Sequence, residues 1–185
     1  MIKVEFNDSE LQDLFAKVRK LSDTKPLLSE IGEYGVRSTK QRFVVGRGPD
    51  GKQWAPNAQS TLLKMLGRRG GDSVRREGEK INSPYLRKDG RLNKRGVSLI
   101  SNKRPLIGES KRLSSEITYR VSPGGVEIGT SMEYAATQQF GAKAGSFRRG
   151  IPWGDIPARP YLGLSDQDME HLKGILRQYL NDVLG

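Results

Sequence analysis

The sequence predicts an α+β fold: helices packed on one face of a small, mainly antiparallel sheet, with a long basic insertion loop. Three observations carry it. Apolar residues recur at three- and four-residue spacing near both ends of the chain. A hairpin pattern stands between residues 117 and 128. Between residues 66 and 104 the periodicity is lost and positive charge accumulates. Residues 1–65 and 105–185 are therefore assigned to a single α+β domain, and residues 66–104 to a Gly/Arg-rich insertion.

The elements follow in order. Ile2, Val4 and Phe6 alternate with Lys3 and Glu5, as a short strand does. Ser9 and Gln12 have the spacing of a capping box, and Leu11, Leu14, Phe15, Val18 and Leu21 form one stripe of an amphipathic helix. Thr24–Lys25–Pro26 starts a second helix, because the first turn needs no amide proton from proline. Its buried face begins with Leu27, Leu28, Ile31 and Tyr34, and its later part, Arg37 to Phe43, is polar and basic. Gly46 to Gly51 form a loop closed by Trp54–Ala55–Pro56, and residues 60–66 have room for a helical turn or two. Further on, Ile117, Tyr119 and Val121 alternate, Ser122–Pro123–Gly124–Gly125 turns the chain, and Val126 and Ile128 alternate again. Thr130 and Glu133 are spaced as a capping box before a short helix, Tyr134 to Phe140, with Gly141 as its stop. Residues 142–160 read as a basic, Pro/Gly-rich loop. In the last helix Ser165 caps with Asp168, and Met169, Leu172, Ile175, Leu176, Tyr179, Leu180 and Val183 share one face.

Composition narrows the function. A chain of 185 residues suits one core with at most an appendage. Its 35% hydrophobic and 7% aromatic content is thin for a self-sufficient globule and suits a protein that completes its burial in an oligomer. The absence of cysteine excludes disulfides, thiolate metal sites and thiol catalysis, and it favours intracellular folding. The start, MIKVEFNDSE, has no apolar run of the secretory kind, and no stretch nears the roughly 20 apolar residues that span a bilayer. Synthesis and folding in the cytoplasm, without a membrane partner, are the expectation.

Catalytic chemistry finds no foothold. The single histidine, His171, falls on the polar face of the last helix as a solvated residue. No histidine or carboxylate cluster has ligand spacing, so neither a metal nor another cofactor is expected, and a nuclease activity ranks far below the other readings. Asp166 and Asp168 are explained by the positive end of the helix they begin. The loop Gly46–Gly51 lacks the Gly-Lys-Ser/Thr ending of a phosphate loop.

The net charge of +11 calls for a polyanionic neighbour. Twelve lysines and arginines against four acids place +8 of it in residues 66–104. The candidates for nucleic-acid or partner contact are Arg68, Arg69, Arg75, Arg76, Arg87, Lys88, Lys94 and Arg95. Such pairs neutralise backbone phosphate without reading sequence. They equally suit docking on the acidic face of a neighbouring subunit, or a loop that is merely solvated. Tyr85 is the one aromatic, so base stacking is not expected. With few apolar residues, the segment is expected to order only in an assembly.

Three blocks, in order, resemble one family. The first is Ser38–Thr39–Lys40–Gln41–Arg42–Phe43 with Pro49–Asp50–Gly51–Lys52–Gln53–Trp54–Ala55–Pro56 and Thr61. The second is Val126–Glu127–Ile128–Gly129–Thr130 with Tyr134–Ala135–Ala136–Thr137–Gln138–Gln139–Phe140–Gly141. The third runs from Ile156–Pro157–Ala158–Arg159–Pro160–Tyr161 through Ser165 into the last helix. Together they resemble the phage virion morphogenesis (tail completion) family, that of the P2-like tail-completion protein S and the Mu-like G protein. Gln138 stands where that family usually has histidine, which argues against imidazole chemistry. The 66–104 stretch is longer and more basic than the family pattern, so no role is carried over to it.

The resemblance implies a non-enzymatic structural protein of the virion, assembled in the host cytoplasm. It would act at the head–tail junction as a homo-oligomeric ring between portal or connector and tail-tube or tail-terminator proteins, with possible contact to genomic DNA. The alternative function is a sequence-independent nucleic-acid-binding protein that uses the basic arm. Candidate assembly residues are Trp54, Tyr134, Gln139, Phe140, Gly141, Pro157, Arg159, Pro160 and Tyr161. Pro157 and Pro160 stiffen the segment around Arg159. That stiffness suits an intersubunit contact, and it equally suits a loop packing Tyr161 and Leu162 into the chain's own core.

Overall fold

The structure is a computed structural model and describes residues 8–18, 21, 24–58, 61–62, 66, 84–87, 91–108, 111–122, 125–146 and 155–184. The expected strand at 2–6 and the turn residues Pro123 and Gly124 lie outside them, as do Arg68, Arg69, Arg75, Arg76 and Lys88. The helices are α1 Ser9–Val18, α2 Lys25–Val45, α3 Lys94–Ser101, α4 Arg112–Ser115, α5 Ala135–Phe140 and α6 Asp166–Leu184; the strands are β1 Thr118–Ser122 and β2 Gly125–Gly129.

The Asp8 carboxylate accepts the Leu11 amide proton at 3.0 Å and so caps α1. This cap replaces the expected Ser9–Gln12 box. The Lys173 ammonium, 3.0 Å from the same carboxylate, holds it at the helix start. Leu11, Leu14 and Val18 then meet Leu27 and Ile31 of α2 and Leu172, Leu176 and Leu180 of α6 in one buried cluster. Full burial of each such side chain contributes roughly 1.5–3 kcal/mol. Val183, expected on the same face, is 50% exposed. Helices α2 and α6 run antiparallel, since Tyr34 meets the start of α6 while Leu27 clusters with Leu176 and Leu180.

Helix α2 has Pro26 in its first turn and ends at Gly46, whose φ of 74° is left-handed and whose amide donates to the Arg42 carbonyl. Its glycines seat the sheet. A Cβ on Gly32 would lie 2.2 Å from the Tyr119 ring, and one on Gly35 would lie 2.1 Å from Ile128 Cδ1. Tyr119 and Ile128 are partners in the antiparallel register, so one face of the hairpin rests on α2. Arg120 and Glu127, also partners, are exposed on the other face. The architecture is α+β as expected. A second buried cluster, Phe43, Trp54, Leu113, Ile117, Ala135, Tyr161 and Leu162, fills the far end of α2.

Two further expectations change. Thr130 Oγ1 accepts from the Met132 amide at 3.3 Å, a local turn, and α5 begins at Ala135 without a side-chain cap, so the Thr130–Glu133 box does not form. Within the segment that shows no periodicity, Lys94–Ser101 is helical. Asn93 caps it by accepting from the Gly96 amide at 3.0 Å, and Gly96 lies too close to the Tyr85 carbonyl for any side chain. Residues 61, 62 and 66 are helical, which agrees with the turn expected there.

Candidate assembly surface and the strap beneath it

The chain from Asp155 to Ser165 crosses the second cluster as an extended strap, and polar residues from all three sequence blocks, Arg42, Trp54, Gln139 and Arg159 among them, hold it. Ala142 and Ile156 form an antiparallel bridge at its start. Gly141 makes the bridge possible. Its φ is 74°, and a Cβ there would lie 2.7 Å from the Ile156 carbonyl oxygen and 2.8 Å from the Ala158 amide nitrogen. Gly141→Ala is therefore expected to lower stability by about 2 kcal/mol or more and to loosen the strap, read as a lower thermal midpoint with faster proteolysis at residues 142–160.

Arg159 is buried and donates from Nε to the Ala55 carbonyl and from Nη2 to the Pro56 carbonyl, both at 2.8 Å. Its own amide donates to the Gln138 carbonyl. Trp54 Nε1 donates to the Pro160 carbonyl at 2.7 Å. Gln139 acts as a surrogate strand: its Oε1 accepts from the amides of Tyr161 and Leu162 at 2.9 and 3.0 Å, and its Nε2 donates to the Leu162 carbonyl at 3.0 Å. These bonds give buried backbone groups the partners they need. Tyr161 is 0% exposed, and its hydroxyl donates to the Ala135 carbonyl. Arg159 is thus directed inward, and the strap packs Tyr161 and Leu162 into the chain's own core.

A second polar knot ties the strap to the helices. Arg42 Nη1 donates to the carbonyls of Tyr161 and Gly163, each at 2.8 Å, and its Nη2 meets Asp168 Oδ2 at 2.6 Å. Tyr34 and Ser38 donate to Asp168 Oδ1 at 2.8 and 2.6 Å. Asp168 Oδ2 also accepts from the Ser165 amide at 2.9 Å, while Ser165 Oγ accepts from the Asp168 amide at 3.2 Å, so the expected cap of the last helix is present. Burial opposes the charge on Asp168, but the hydrogen bonds from Ser165, Ser38 and Tyr34 overcome it and hold the carboxyl down at about 2. Burial, with the bond to Asp168, pushes the Tyr34 hydroxyl up to about 12. His171 is exposed, and its ring stacks on Tyr34 with centroids 4.2 Å apart.

Sequence reasoning treats Asp168 as a cap alone and gives Arg42 no partner. The available signal was the spacing of Tyr34, Ser38 and Arg42, which puts three hydrogen-bonding groups on one face of α2.

The candidate residues that remain outside are apolar and cationic. Of the expected assembly residues, Trp54, Gln139, Arg159 and Tyr161 are internal, whereas Tyr134 and Phe140 are 45% and 65% exposed and Pro157 is exposed. Of the basic candidates, Arg87, Lys94 and Arg95 are described, all exposed. Elsewhere, the outer side of α2 and Tyr119 border a shallow groove of about 420 Å³. Among the described residues no group of three or more His, Asp or Glu is arranged to hold a metal ion, and no helix is long and apolar enough to cross a membrane.

The strap joins residues from all three sequence blocks, while Tyr134 and Phe140 of the second block face solvent. The chain belongs to the phage virion morphogenesis family, which it matches over residues 6–89 and 83–181. Over 75 residues it is 36% identical to the Mu-like prophage FluMu G protein 2 of Haemophilus influenzae, a stretch that covers 40% of this chain and 51% of that protein. The matched stretch thus spans about half the length of that relative. No solved structure matches the chain. The chain is a phage virion assembly protein.

Proposed function

We propose that this protein completes the tail or neck of the virion, forming a ring at the head–tail junction. The ring joins portal or connector on the head side to tail-tube or tail-terminator proteins on the tail side, and it assembles in the host cytoplasm without catalysing a reaction. One observation carries the reading. Arg42, Trp54, Gln139 and Arg159 of the family blocks bind the chain's own backbone, while Tyr134 and Phe140, from the same blocks, face solvent. An exposed pair of large aromatics is a protein-contact feature.

The exposed cations favour contact with DNA as a second activity of the same ring. Lys94 and Arg95 occupy the first turn of α3, which has no acid. The helix dipole disfavours cations at that end, so their placement reinforces positive potential rather than helix stability. Phosphate neutralisation of this kind is independent of sequence and weakens steeply with salt.

The experiment replaces Arg75, Arg76, Lys94 and Arg95 together with glutamine and counts heads, tails and full tailed particles. Unchanged helix content with fewer full, tailed particles is the expected result. Wild-type yields would overturn both the DNA-contact and the protein-docking roles of these cations.

A further inference from the structure

Phe140 is the most exposed large apolar side chain among the described residues, and the fold fixes it there. Its neighbours on either side are locked inward, Gln139 by the backbone of Tyr161 and Leu162 and Gly141 by close approach to Ile156. Ala136, one turn earlier, and Glu133 are exposed, and Tyr134 lies beside them. The result is a rigid aromatic knob at one end of the short helix, with an exposed acid at the other. Glu133 has no cation partner among the described residues.

The groove on α2 has the complementary chemistry. Its apolar part is Val36, Val44 and Tyr119, and Arg37 and Lys40 stand along it with a single acid, Glu33, so that its rim is net positive. Val44 is 54% exposed. Neither Arg37 nor Lys40 has a carboxylate partner among the described residues. No residue of α5 lines the groove, so knob and groove are separate surfaces of one copy.

We infer that the occupant of this groove is a second copy of the chain: Phe140 of one copy seats on Val36, Val44 and Tyr119 of the next, and Glu133 faces Arg37 and Lys40. Two different patches meet in such a contact, so it repeats head to tail and closes into a ring when the rotation per copy permits. The inference rests on the ring reading above and deepens it by naming the interface. A buried aromatic anchor with a charged rim is the arrangement that concentrates binding energy and fixes register.

The natural absence of cysteine makes the test clean. A Phe140→Cys chain mixed with a Val44→Cys chain should give a disulfide-linked dimer on mild oxidation, because linkage requires Cα atoms within about 7 Å. Each variant alone should stay unlinked, and the double variant should give a ladder of linked multimers. Phe140→Ala should weaken self-association about tenfold or more. Glu133→Lys and Lys40→Glu should each weaken it, and the pair together should restore it, since every contact takes one residue from each copy. Rings seen by electron microscopy without linkage between positions 140 and 44, or with position 140 linked to itself, would overturn this interface and leave the ring reading intact. A chain that never self-associates in sedimentation would overturn both.

Discussion

Asp168→Ala is expected to lower stability by about 3–5 kcal/mol, measured by chemical denaturation, because it strands a buried partner rather than deleting a pair. The Arg42 guanidinium and the hydroxyls of Tyr34 and Ser38 all converge on this carboxylate, and the two charged side chains are only 8% and 6% exposed. Typical domains are stable by about 5–15 kcal/mol, so one substitution removes a large share. The pH dependence follows from the same geometry. The folded pKa of about 2 lies below the ordinary 3.8, so the unfolded chain takes up the proton more readily. The contribution, about 2 kcal/mol by the size of the shift, is complete above pH 3.8 and is lost as pH falls through about 2. Asp8, Glu10 and Asp155 shift in the same direction on the surface, so the comparison that isolates Asp168 is wild type against Asp168→Asn. The variant should lose the acid dependence that Asp168 supplies; identical acid limbs would contradict the assignment.

Leu176→Asp should have the largest effect of any single change. Leu176 is 0% exposed at the centre of the cluster shared by α1, α2 and α6, and a carboxylate there has no partner. The cost is about 4 kcal/mol or more, and insoluble or unassembled protein is the expected outcome. Leu172→Asp, at 4% exposure on the same face, should behave alike. Soluble, assembly-competent protein carrying both changes would mean that this face of α6 is not buried.

Local signals were legible, and long-range ones were not. Ser165 and Asp168 stand three residues apart and cap α6 as their spacing predicts. The alternation through Tyr119 and Ile128 became the hairpin, and Gly141 stops α5 where a side chain could not fit. Helix α3 stayed hidden because its length is eight residues, with a glycine in the first turn and cations where acids are favoured. The cap of α1 moved by one residue because Lys173, far along the chain, holds Asp8. For the candidate site, the sequence marked the blocks but not the direction of their side chains. Arg159 bonds to Ala55 and Pro56, over 100 residues away, and nothing in the spacing of Pro157 and Pro160 reveals that an arginine between them points inward.

The central claim is that this chain works as a ring between head-side and tail-side proteins. Negative-stain imaging of the purified protein, alone and mixed with the portal-side and tail-side components of its phage, tests it most directly. Closed rings seated between the two partners are the predicted result. A chain that remains monomeric in every mixture would contradict the account.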